Sequence, residues 1–413
     1  MVPDSPPAAP AALSGIRVIE IGTFISAPFA ATLLADFGAD VIKLELPDGG
    51  DPMRTLGAYP PGGDSSYWWS AMGRNKRSVG LDVRTTEGRD ILGRLLESAD
   101  VLVENFRPGT LDRWGITMQW MRSRRPDLIV AHISGYGQDG PWRDVPGFDR
   151  NAQAFSGLVH VTGEPDMPPQ QAGLPLCDFN AALWSAFGIV TALLGQLRHR
   201  DTSGQGGNEI DLALYESMIP FLKDMPQRWR HLGRVTERTG NTPDYVAPGG
   251  AYRTGSGDWI FISGTGDRVF DRLMIAVGRA DMAEAEQFRH NRDRVTHRGL
   301  LDDAIDTWLK ARSTEQCIDE LKAADVPAVK IQNIADIMAH PQVVARGNFI
   351  DVPDHGRGDV CMPAPIPRMA SMSPQVRWPG EHLGESTWRV LHGELGLAEE
   401  ELERLRALKV IHG

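Results

Sequence analysis

The sequence predicts a mixed α/β protein with a parallel sheet and a second, smaller domain. Three observations support this fold class. The chain has 413 residues, which is enough for two domains. In its first half, β-branched runs alternate with helical apolar patterns, an alternation typical of a parallel sheet. After Thr239 the pattern changes to a hairpin followed by amphipathic helices.

The predicted strands of the sheet are short β-branched or apolar runs that end in turn residues. A loop or a helical pattern follows each of them, as parallel pairing requires. They cover Ile16–Ile21, Val41–Glu45, Ser78–Asp82, Val101–Glu104, Leu128–Ile133 and Asn208–Leu214.

Helices are predicted where apolar residues recur with helical period. Ala30–Phe37 and Gly88–Ser98 lie between the first strands, and a long helical stretch covers Glu216–His231. The most apolar helix, Ala181–Leu197, contains polar residues and is too short for a clean membrane span. We therefore expect it to be a buried core helix.

The second domain is predicted from a hairpin at Tyr252–Ser263, which has a Gly-Ser-Gly tip, and from the amphipathic helices after it. Further helical patterns mark the C-terminal end of the chain. These helices cover Asp267–Val277, Arg298–Ala311, Thr314–Ala324, Ser386–Leu395 and Glu399–Ala407.

The charge balance limits the classes of partner. The chain has 43 Lys and Arg against 54 Asp and Glu, which gives a net charge of -11 and a pI near 5.5. A chain this acidic does not attract nucleic acid or an anionic membrane over its whole surface. We expect neither partner, and any anion site must be local.

Cysteines and the N-terminus indicate the compartment. Cys177, Cys317 and Cys361 are far apart and form no CxxC pair, so neither a disulfide framework nor a metal site is predicted. Residues 1–12 are rich in Pro and Ala and lack the basic and apolar regions of a signal peptide, so we expect a disordered tail. Both observations indicate the reducing cytoplasm.

A dinucleotide site is the first chemical interpretation to test. Glu45 ends the second strand, where a ribose-binding acid would lie. The turn Gly22–Ala27, however, lacks the GxGxxG pattern and has the bulky Phe24 where the backbone must approach a pyrophosphate. The glycine pattern therefore argues against a nicotinamide or flavin site.

Two segments favour a phosphorylated, adenine-bearing ligand. The basic run Arg74–Arg77 precedes a strand, where it could be a solvated face or bind a phosphate. The strand ending at Glu104 leads into a turn whose Thr110 could cap a helix carrying Arg113. Phe106, in the same turn, could stack on an adenine. Each segment is weak evidence alone, and together they point to such a ligand.

A third and a fourth segment could take part in chemistry. The loop Gly135–Pro141 follows a strand and either lets the backbone approach a ligand or is a plain turn. Asp178 precedes the most apolar helix, where it could be an N-cap or a nucleophile towards an acyl group. Cys177 is a rival nucleophile, but a buried structural thiol is the simpler interpretation. No GxSxG elbow is present.

These segments, in this order, resemble the class III CoA-transferase family, and the resemblance covers most of the chain. Members include transferases dependent on formyl-CoA, carnitine and succinyl-CoA, together with the α-methylacyl-CoA racemases. The matching motifs are Leu13–Glu20, Phe37–Glu45, Gly50–Arg54, Asn75–Ser78, Glu104–Gly109, Gly135–Gly137, Val326–Ala328, His340–Gln342 and Leu383–Glu385.

The resemblance implies a large Rossmann-like domain built from both chain ends, with a smaller α/β domain inserted in it. On this basis we expect a CoA-binding domain over residues 13–224, a small domain over 225–330 and a C-terminal segment over 331–413 that returns to the large domain. It also implies an interlocked homodimer of two ring-like subunits.

The resemblance further implies an acyl-CoA:carboxylate CoA-transferase whose nucleophile is Asp178. Transfer would proceed through an aspartyl anhydride and an aspartyl-CoA thioester, with CoA as substrate and product and no permanently bound cofactor. The donor closest by resemblance is succinyl-CoA or another dicarboxylyl-CoA, and the acceptor is a carboxylic acid. The residues matching CoA-binding positions are Asn75, Lys76, Asn105, Phe106, Arg107 and Arg113.

The main alternative is an α-methylacyl-CoA racemase, which abstracts a proton with two bases. The racemase branch has a His-Asp pair in the segment that matches Gly147–Asp149, and this chain has Phe148 at the histidine position. Asp149 remains as a carboxylate that could support the site. A non-catalytic acyl-CoA-binding protein is a further alternative, against which the presence of Asp178 argues.

Overall fold

The computed structural model describes residues 11–198, 207–354 and 358–413. The expected tail, residues 1–12, lies outside the described residues except for Ala11 and Ala12. The chain forms two compact units. Unit 1 comprises Met1–Ser156, Ala172–Lys223 and Ala345–Gly413, and unit 2 comprises Gly157–Gln171 and Asp224–Val344.

The described part of the chain contains three sheets, and their strands are numbered here in chain order. They are β1 (Arg17–Glu20), β2 (Asp40–Glu45), β3 (Lys76–Leu81), β4 (Val101–Glu104), β5 (Ile129–Ser134), β6 (Glu209–Ala213), β7 (Gly249–Arg253), β8 (Trp259–Ser263), β9 (Ala328–Lys330), β10 (Phe349–Val352), β11 (Val360–Pro363) and β12 (Ile411–His412).

The α-helices are numbered in the same way. They are α1 (Ser26–Asp36), α2 (Tyr67–Met72), α3 (Thr86–Leu96), α4 (Thr110–Arg113), α5 (Met118–Arg124), α6 (Asp149–Phe155), α7 (Leu176–Arg198), α8 (Met225–Leu232), α9 (Asp267–Ala276), α10 (Ala280–Glu284), α11 (Asn291–Thr296), α12 (Arg298–Lys310), α13 (Thr314–Ala323), α14 (Ile334–Ala339), α15 (Pro341–Ala345) and α16 (Glu399–Ala407).

Shorter helical segments complete the described secondary structure. Three are 3₁₀ helices, at Pro52–Thr55, Glu216–Leu222 and Glu286–Phe288, and a π-helical turn covers Arg389–Glu394.

The central sheet of unit 1 has seven strands in the order β12-β3-β2-β1-β4-β5-β6. All neighbouring strands are parallel except β12, which pairs antiparallel with β3. From β1 the chain builds outward through β2 and β3, and then returns to form β4 on the other side of β1. Such a reversal opens a crevice at the carboxyl ends of the two central strands, where ligands of open α/β sheets bind.

Helices cover both faces of this sheet. On one face, α3 and α16 pack on the strands through buried residues that include Leu92 and Leu402. On the other face, α1 packs against α7. The central strands between them are inaccessible to solvent, as Ile19, Leu102 and Val130 illustrate. The predicted mixed α/β fold with a mostly parallel sheet is confirmed.

Most predicted elements are found within a few residues, with one clear exception. The helical stretch expected at Glu216–His231 is a 3₁₀ helix, Glu216–Leu222, followed by α8. Pro220 lacks the amide hydrogen of a continuous helix, and Lys223 has a left-handed φ of 57°. The chain therefore leaves unit 1 at this break and enters unit 2 with α8.

Unit 2 is built on an antiparallel sheet of β7, β8 and β9, with β8 in the centre. Its core includes Phe270 from α9, Leu309 from α12 and Leu321 from α13. Arg294, although fully buried, is satisfied by the carbonyls of Ala247, Phe288 and Thr265 and by a carboxylate.

The limits of unit 2 differ from the expected 225–330. The unit continues through α14 to Val344, and it includes the earlier segment Gly157–Gln171. That segment is held by long-range contacts, since the Gly240 amide donates to Gly163 O at 2.9 Å and Arg238 donates to Glu164 O at 3.0 Å. Such contacts leave no local signal in the sequence.

Candidate active site

The turn after β1 lies at the crevice of the sheet. The Asn105 side chain, at the end of β4, accepts from the Thr23 amide at 2.8 Å and donates to Thr23 O at 2.7 Å. A Cβ on Gly22 would lie 2.9 Å from the Asn105 amide oxygen, so only glycine permits this approach. Phe24 follows with a left-handed φ of 62°, a strained conformation that is common at functional sites.

A buried ion cluster of Lys43, Glu20 and Asp51 is hydrogen-bonded to this turn. Lys43 is 1% exposed and donates to Glu20 at 2.6 Å, to Asp51 at 2.7 Å and to Gly22 O at 2.5 Å. Burial alone would lower the pKa of Lys43, but Asp51 and Glu20 raise it above its usual value. The Asp51 carboxylate in turn accepts from the Phe24 amide at 3.1 Å. Lys43 therefore fixes the position of the strained turn.

The basic run before β3 is buried, which neither interpretation of its sequence predicts. Lys76 donates to Glu20 at 2.8 Å and to Pro28 O at 2.6 Å, and burial lowers its pKa. Asn75 donates to Asp36 at 2.9 Å and accepts from a backbone amide of the C-terminal segment. Both side chains are therefore buried and bonded within the protein, and their assignment to CoA stays a prediction.

A cavity of about 280 Å³ opens between the carboxyl ends of the central strands. Phe106 and Trp114 form part of its wall, with ring centroids 5.0 Å apart in an edge-to-face contact. Gly22 and the ion pair of Lys43 and Asp51 also line it. The size and the mainly apolar lining suit a flat heteroaromatic group. Trp114 is a lining residue that the sequence did not single out.

Arg107 and Arg113 lie exposed next to this cavity, in the segment that follows Phe106. Arg113 donates to Thr110 Oγ1 at 2.8 Å, and no ion pair of either guanidinium is found in the described part of the chain. Thr110 is not the helix cap that the sequence suggested, because α4 has Gly109 at its N-cap with φ 73°. In the described residues, the segment thus offers two exposed guanidinium groups without a carboxylate partner, rather than a helix N-terminus.

Asp178 lies in the first turn of α7. The helix begins at Leu176, so Asp178 is not the N-cap that the sequence allowed. Instead Asp149, the first residue of α6, accepts from the amides of Cys177 at 2.7 Å and Asp178 at 3.1 Å. Phe179 contacts Phe29 of α1, which places the beginnings of the two helices side by side at the carboxyl edge of the sheet.

The approach to α7 is held by Gln153, which the sequence analysis missed. Its amide donates to Asp149 at 2.6 Å and to Leu174 O at 3.1 Å, and it accepts from the Ala172 amide at 2.9 Å. Asp149 and Gln153 are four residues apart in the sequence, and this spacing was the only available signal, because it places both on one face of a helix.

Burial and the charge of Asp149 raise the pKa of Asp178 from 3.8 to about 7. Burial, with the charges of Asp149 and Asp178, raises the pKa of Cys177 to about 12. The Cys177 thiol therefore stays protonated at neutral pH, whereas a large fraction of Asp178 is ionised. Of the two groups, Asp178 has the larger ionised fraction at neutral pH.

The glycine-rich loop after β5 positions α6. A Cβ on Gly147 would lie 3.1 Å from Gly135 Cα, so this close approach of backbone requires small residues. The amides of Gly137 and Gln138 donate to Ser134 Oγ and to Asp211, so they are not free to stabilise an oxyanion. Phe148, at the racemase histidine position, is 66% exposed and cannot titrate.

Replacement of Asp178 by Asn should stabilise the fold at neutral and alkaline pH. Because the pKa of Asp178 is higher in the folded protein than its ordinary value of 3.8, ionisation of this group destabilises the fold. The parent therefore has its full stability below about pH 4 and loses part of it as the pH rises through about 7. The Asn variant has no ionisable group at this position, so it does not lose stability in this way. We expect it to be about 1–2 kcal/mol more stable than the parent at pH 8 and equally stable at pH 4, measured by urea unfolding. A variant less stable than the parent at pH 8 would contradict the raised pKa.

Metal and membrane sites receive no support in the described residues. In those residues, no group of three or more His, Cys, Asp or Glu side chains is arranged to hold a metal ion. α7 is the one helix described whose length and composition would allow it to cross a membrane. It packs against α1 and β5 on one side, and apolar residues such as Phe187 are exposed on the other, so it is not the fully buried core helix that the sequence predicted.

Comparison with known proteins identifies relatives along almost the whole chain. A family model described as CoA-transferase family III matches residues 13–387. The succinyl-CoA–D-citramalate CoA-transferase of Chloroflexus aurantiacus is 37% identical over 402 residues, which are 97% of this chain and 98% of that protein. The succinyl-CoA–L-malate CoA-transferase alpha subunit of the same species is 36% identical over 400 residues, 97% of this chain and 92% of that subunit.

A solved structure shares the fold. The crystal structure of a CAIB/BAIF family protein from Brucella suis has a TM-score of 0.81 and 32% sequence identity to this chain. The superposition covers 93% of this chain and 100% of that one.

Proposed function

The chain belongs to CoA-transferase family III and is a CoA-transferase, and we propose that it transfers CoA from succinyl-CoA to a dicarboxylic acid. The class of substrate is suggested by the two Chloroflexus relatives, whose names give succinyl-CoA as donor and D-citramalate or L-malate as acceptor. Enzymes of this family use CoA thioesters as substrates, so CoA enters and leaves with each reaction.

The cavity between the central strands is proposed to hold the adenine of CoA. Phe106 and Trp114 offer aromatic surface, and the Lys43 cluster supplies a rigid, polar floor. Arg107 and Arg113 are proposed to bind the phosphates, because both guanidinium groups are exposed beside the cavity and free of carboxylate partners in the described residues. Asn105 is proposed to support CoA binding indirectly, because its side chain holds the turn after β1 that lines the cavity.

Asp178 is proposed to begin the reaction as a nucleophile. A carboxylate oxygen attacks the thioester carbonyl of the donor, the carbon–sulfur bond breaks, and CoA leaves as a thiolate. The product on the enzyme is a mixed anhydride between Asp178 and the donor acid. The thiolate then attacks the aspartyl carbonyl, which forms an aspartyl-CoA thioester and releases the donor carboxylate.

The acceptor repeats these steps in reverse. Its carboxylate attacks the aspartyl thioester, which forms a second anhydride and frees the thiolate. The thiolate attacks the acyl carbonyl of the acceptor, so the new acyl-CoA leaves and the Asp178 carboxylate is restored. One thioester replaces another, and the reaction is close to thermoneutral without ATP.

The observation that carries this proposal is the Asp178 carboxylate itself, half-buried at the beginning of α7 with a pKa raised to about 7. The proposal is tested with a panel of acyl-CoA donors and carboxylic acid acceptors, whose products are identified by mass spectrometry. We expect succinyl-CoA with a hydroxydicarboxylic acid to give the highest turnover. Transfer to monocarboxylic acids alone would contradict the proposed acceptor.

The racemase alternative is not favoured by any side chain at this site. Phe148 has no titratable group, and Asp149 is engaged with the amides of α7. Two-base proton exchange needs an ionisable group on each face of the substrate carbon.

An interlocked homodimer in the cytoplasm is the proposed state of the protein, with a CoA-binding domain built from both chain ends. The proposal is supported by the outer face of α7, which carries exposed apolar side chains such as Leu183, Phe187 and Leu197. Phe187 alone is 65% exposed. A continuous apolar face of this kind is normally covered by a partner.

Dilution should not dissociate the homodimer. Separating interlocked subunits requires partial unfolding, so the dimer is expected to persist across a wide dilution range in light scattering. A variant with Phe187→Glu should aggregate or become monomeric, whereas Trp259→Glu, an exposed residue of unit 2, serves as a matched control. A parent protein that is monomeric at all concentrations would refute the homodimer.

Replacement of Arg113 by Ala should weaken CoA binding. A charge-assisted contact with a phosphate contributes about 1.5–3 kcal/mol, which corresponds to roughly 10–150-fold in Kd. The remaining binding should also depend less on salt, since one ion pair is lost. Calorimetry at two salt concentrations measures both effects. Arg279→Ala, which removes an exposed guanidinium from unit 2, is the matched control, and equal affinity of both variants would contradict the phosphate contact.

A further inference from the structure

We infer that Asp149 and Gln153 are positioning residues for the transfer reaction, which fix the beginning of α7 and set the charge of Asp178. This inference rests on the proposed role of Asp178 as nucleophile. It assigns a function to a buried carboxylate and a buried amide that act through the backbone before and at the beginning of α7.

Asp149 binds the free amides at the N-terminus of α7. The amides of Cys177 and Asp178 both donate to the same oxygen, Asp149 Oδ1, at 2.7 and 3.1 Å. Such free amides are commonly bound by the side chain of the helix's own N-cap residue, and here Asp149 of α6 takes that place. Because Asp149 occupies them, the oxygens of Asp178 are not held by the helix and remain available for attack on an acyl group.

The segment that precedes α7 is attached to α6 by Gln153. Gln153 binds the other carboxylate oxygen, Asp149 Oδ2, at 2.6 Å, and the same side chain bonds Leu174 O and the Ala172 amide. Both Asp149 and Gln153 are buried. Gln153 therefore fastens the backbone before α7 to α6 at two points, Ala172 and Leu174, and α6 is itself placed by the close contact of Gly135 and Gly147.

Asp149 is also the charged group nearest to Asp178 among those that shift its pKa. In the described part of the chain, neither Asp149 nor Asp178 has a cation within salt-bridge distance. The elements packed against the beginning of α7 contribute the uncharged Phe29 and Ser217. Glu216, next to Ser217, accepts from the backbone amide of β6's last residue. Burial is the larger cause of the raised pKa of Asp178, and Asp149 is the neighbouring charge that adds to it by disfavouring the ionised form.

The chemical consequence is a more reactive carboxylate. Repulsion from Asp149 destabilises the Asp178 anion, which makes it a stronger base and a stronger nucleophile than an ordinary aspartate. The helix amides that would otherwise stabilise that anion are occupied by Asp149. The orientation and the reactivity of Asp178 therefore depend on the buried pair Asp149 and Gln153.

The test separates charge from position with three variants. Asp149→Asn keeps an oxygen for the helix amides and removes the charge. In the pH profile of kcat/KM, the midpoint of the acid limb should therefore fall by about 1 pH unit. The plateau value of kcat/KM should fall less than about 10-fold. Asp149→Ala removes both, and the plateau should fall by about 100-fold. Gln153→Ala keeps the charge, so the plateau should fall while the midpoint stays near that of the parent. Asp144→Asn, an exposed carboxylate in the preceding loop, is the matched control and should change neither.

A measurement without substrate distinguishes this inference from the proposed function. The titration of Asp178 is followed by the carboxyl signal of isotope-labelled aspartate in NMR, in the parent and in Asp149→Asn. A lower midpoint in the variant supports the inference, whether or not transfer is observed. An unchanged midpoint, or a plateau rate in Asp149→Ala equal to that of the parent, would overturn it. Absence of CoA transfer in the parent would instead refute the proposed function.

Discussion

Replacing Asp178 with Asn is expected to abolish CoA transfer while the protein still folds and binds CoA. The amide cannot attack a thioester to form an anhydride, and removal of a covalent nucleophile typically costs a factor of about 10⁴–10⁶ in kcat. Asn is close to isosteric with Asp at this half-buried position, and Asp149 still caps the helix. The rate with succinyl-CoA and the best acceptor measures the loss, and calorimetry measures the retained binding.

The matched control is Cys177→Ala, which removes the neighbouring thiol. Burial and two adjacent carboxylates hold the Cys177 thiol protonated, so this variant should keep most of its transfer rate. Mass spectrometry of the Asn variant must exclude deamidation back to Asp. Near-parental turnover by the verified Asn variant, with a strong loss in the Cys177 variant, would assign the chemistry to the thiol.

Replacing Lys43 with Met is expected to destabilise the fold by about 3–5 kcal/mol, the usual cost of removing one partner from a buried ion pair. The change leaves Asp51 without its cation and the carbonyl of Gly22 without a donor in an inaccessible site. The turn that carries Phe24 should lose its support, and CoA binding should weaken together with stability. Urea unfolding and calorimetry measure the two effects.

Two further variants make the Lys43 prediction specific. Lys409→Met removes an exposed lysine and should change stability by less than about 0.5 kcal/mol. The double variant Lys43→Met with Asp51→Asn removes the unpaired carboxylate as well, so it should recover part of the loss. A Lys43 variant as stable as the parent would show that the buried cluster does not support the turn.

The sheet could be predicted from the sequence because its strands are local signals. Runs such as Val101–Glu104 and Val41–Glu45 are apolar, short and bounded by turn residues, and the structure has strands at both. The position of the crevice also follows from the sequence, since Phe106 lies directly after a central strand. The fold class and the region of the site were therefore accessible without coordinates.

The partners of charged residues could not be predicted. Arg74 is bound by Asp36, and Lys76 by Glu20, residues that are far away in the sequence. A basic run in isolation suggests a solvated face or an anion site, because burial of cations depends on acids that only the fold brings near. The same reason explains why the sequence allowed Asp178 to be a helix cap, since the actual cap, Asp149, belongs to another helix.

The proposed aspartyl anhydride is tested most directly by following an oxygen atom from the acceptor to Asp178. In the proposed mechanism the bridging oxygen of the second anhydride comes from the acceptor carboxylate and stays on Asp178 when the thiolate attacks the acceptor carbonyl. A single turnover with an acceptor labelled with oxygen-18 should therefore place one labelled oxygen in the peptide containing Asp178, detected by its mass. Formation of the new acyl-CoA with no label in that peptide would contradict an aspartyl anhydride.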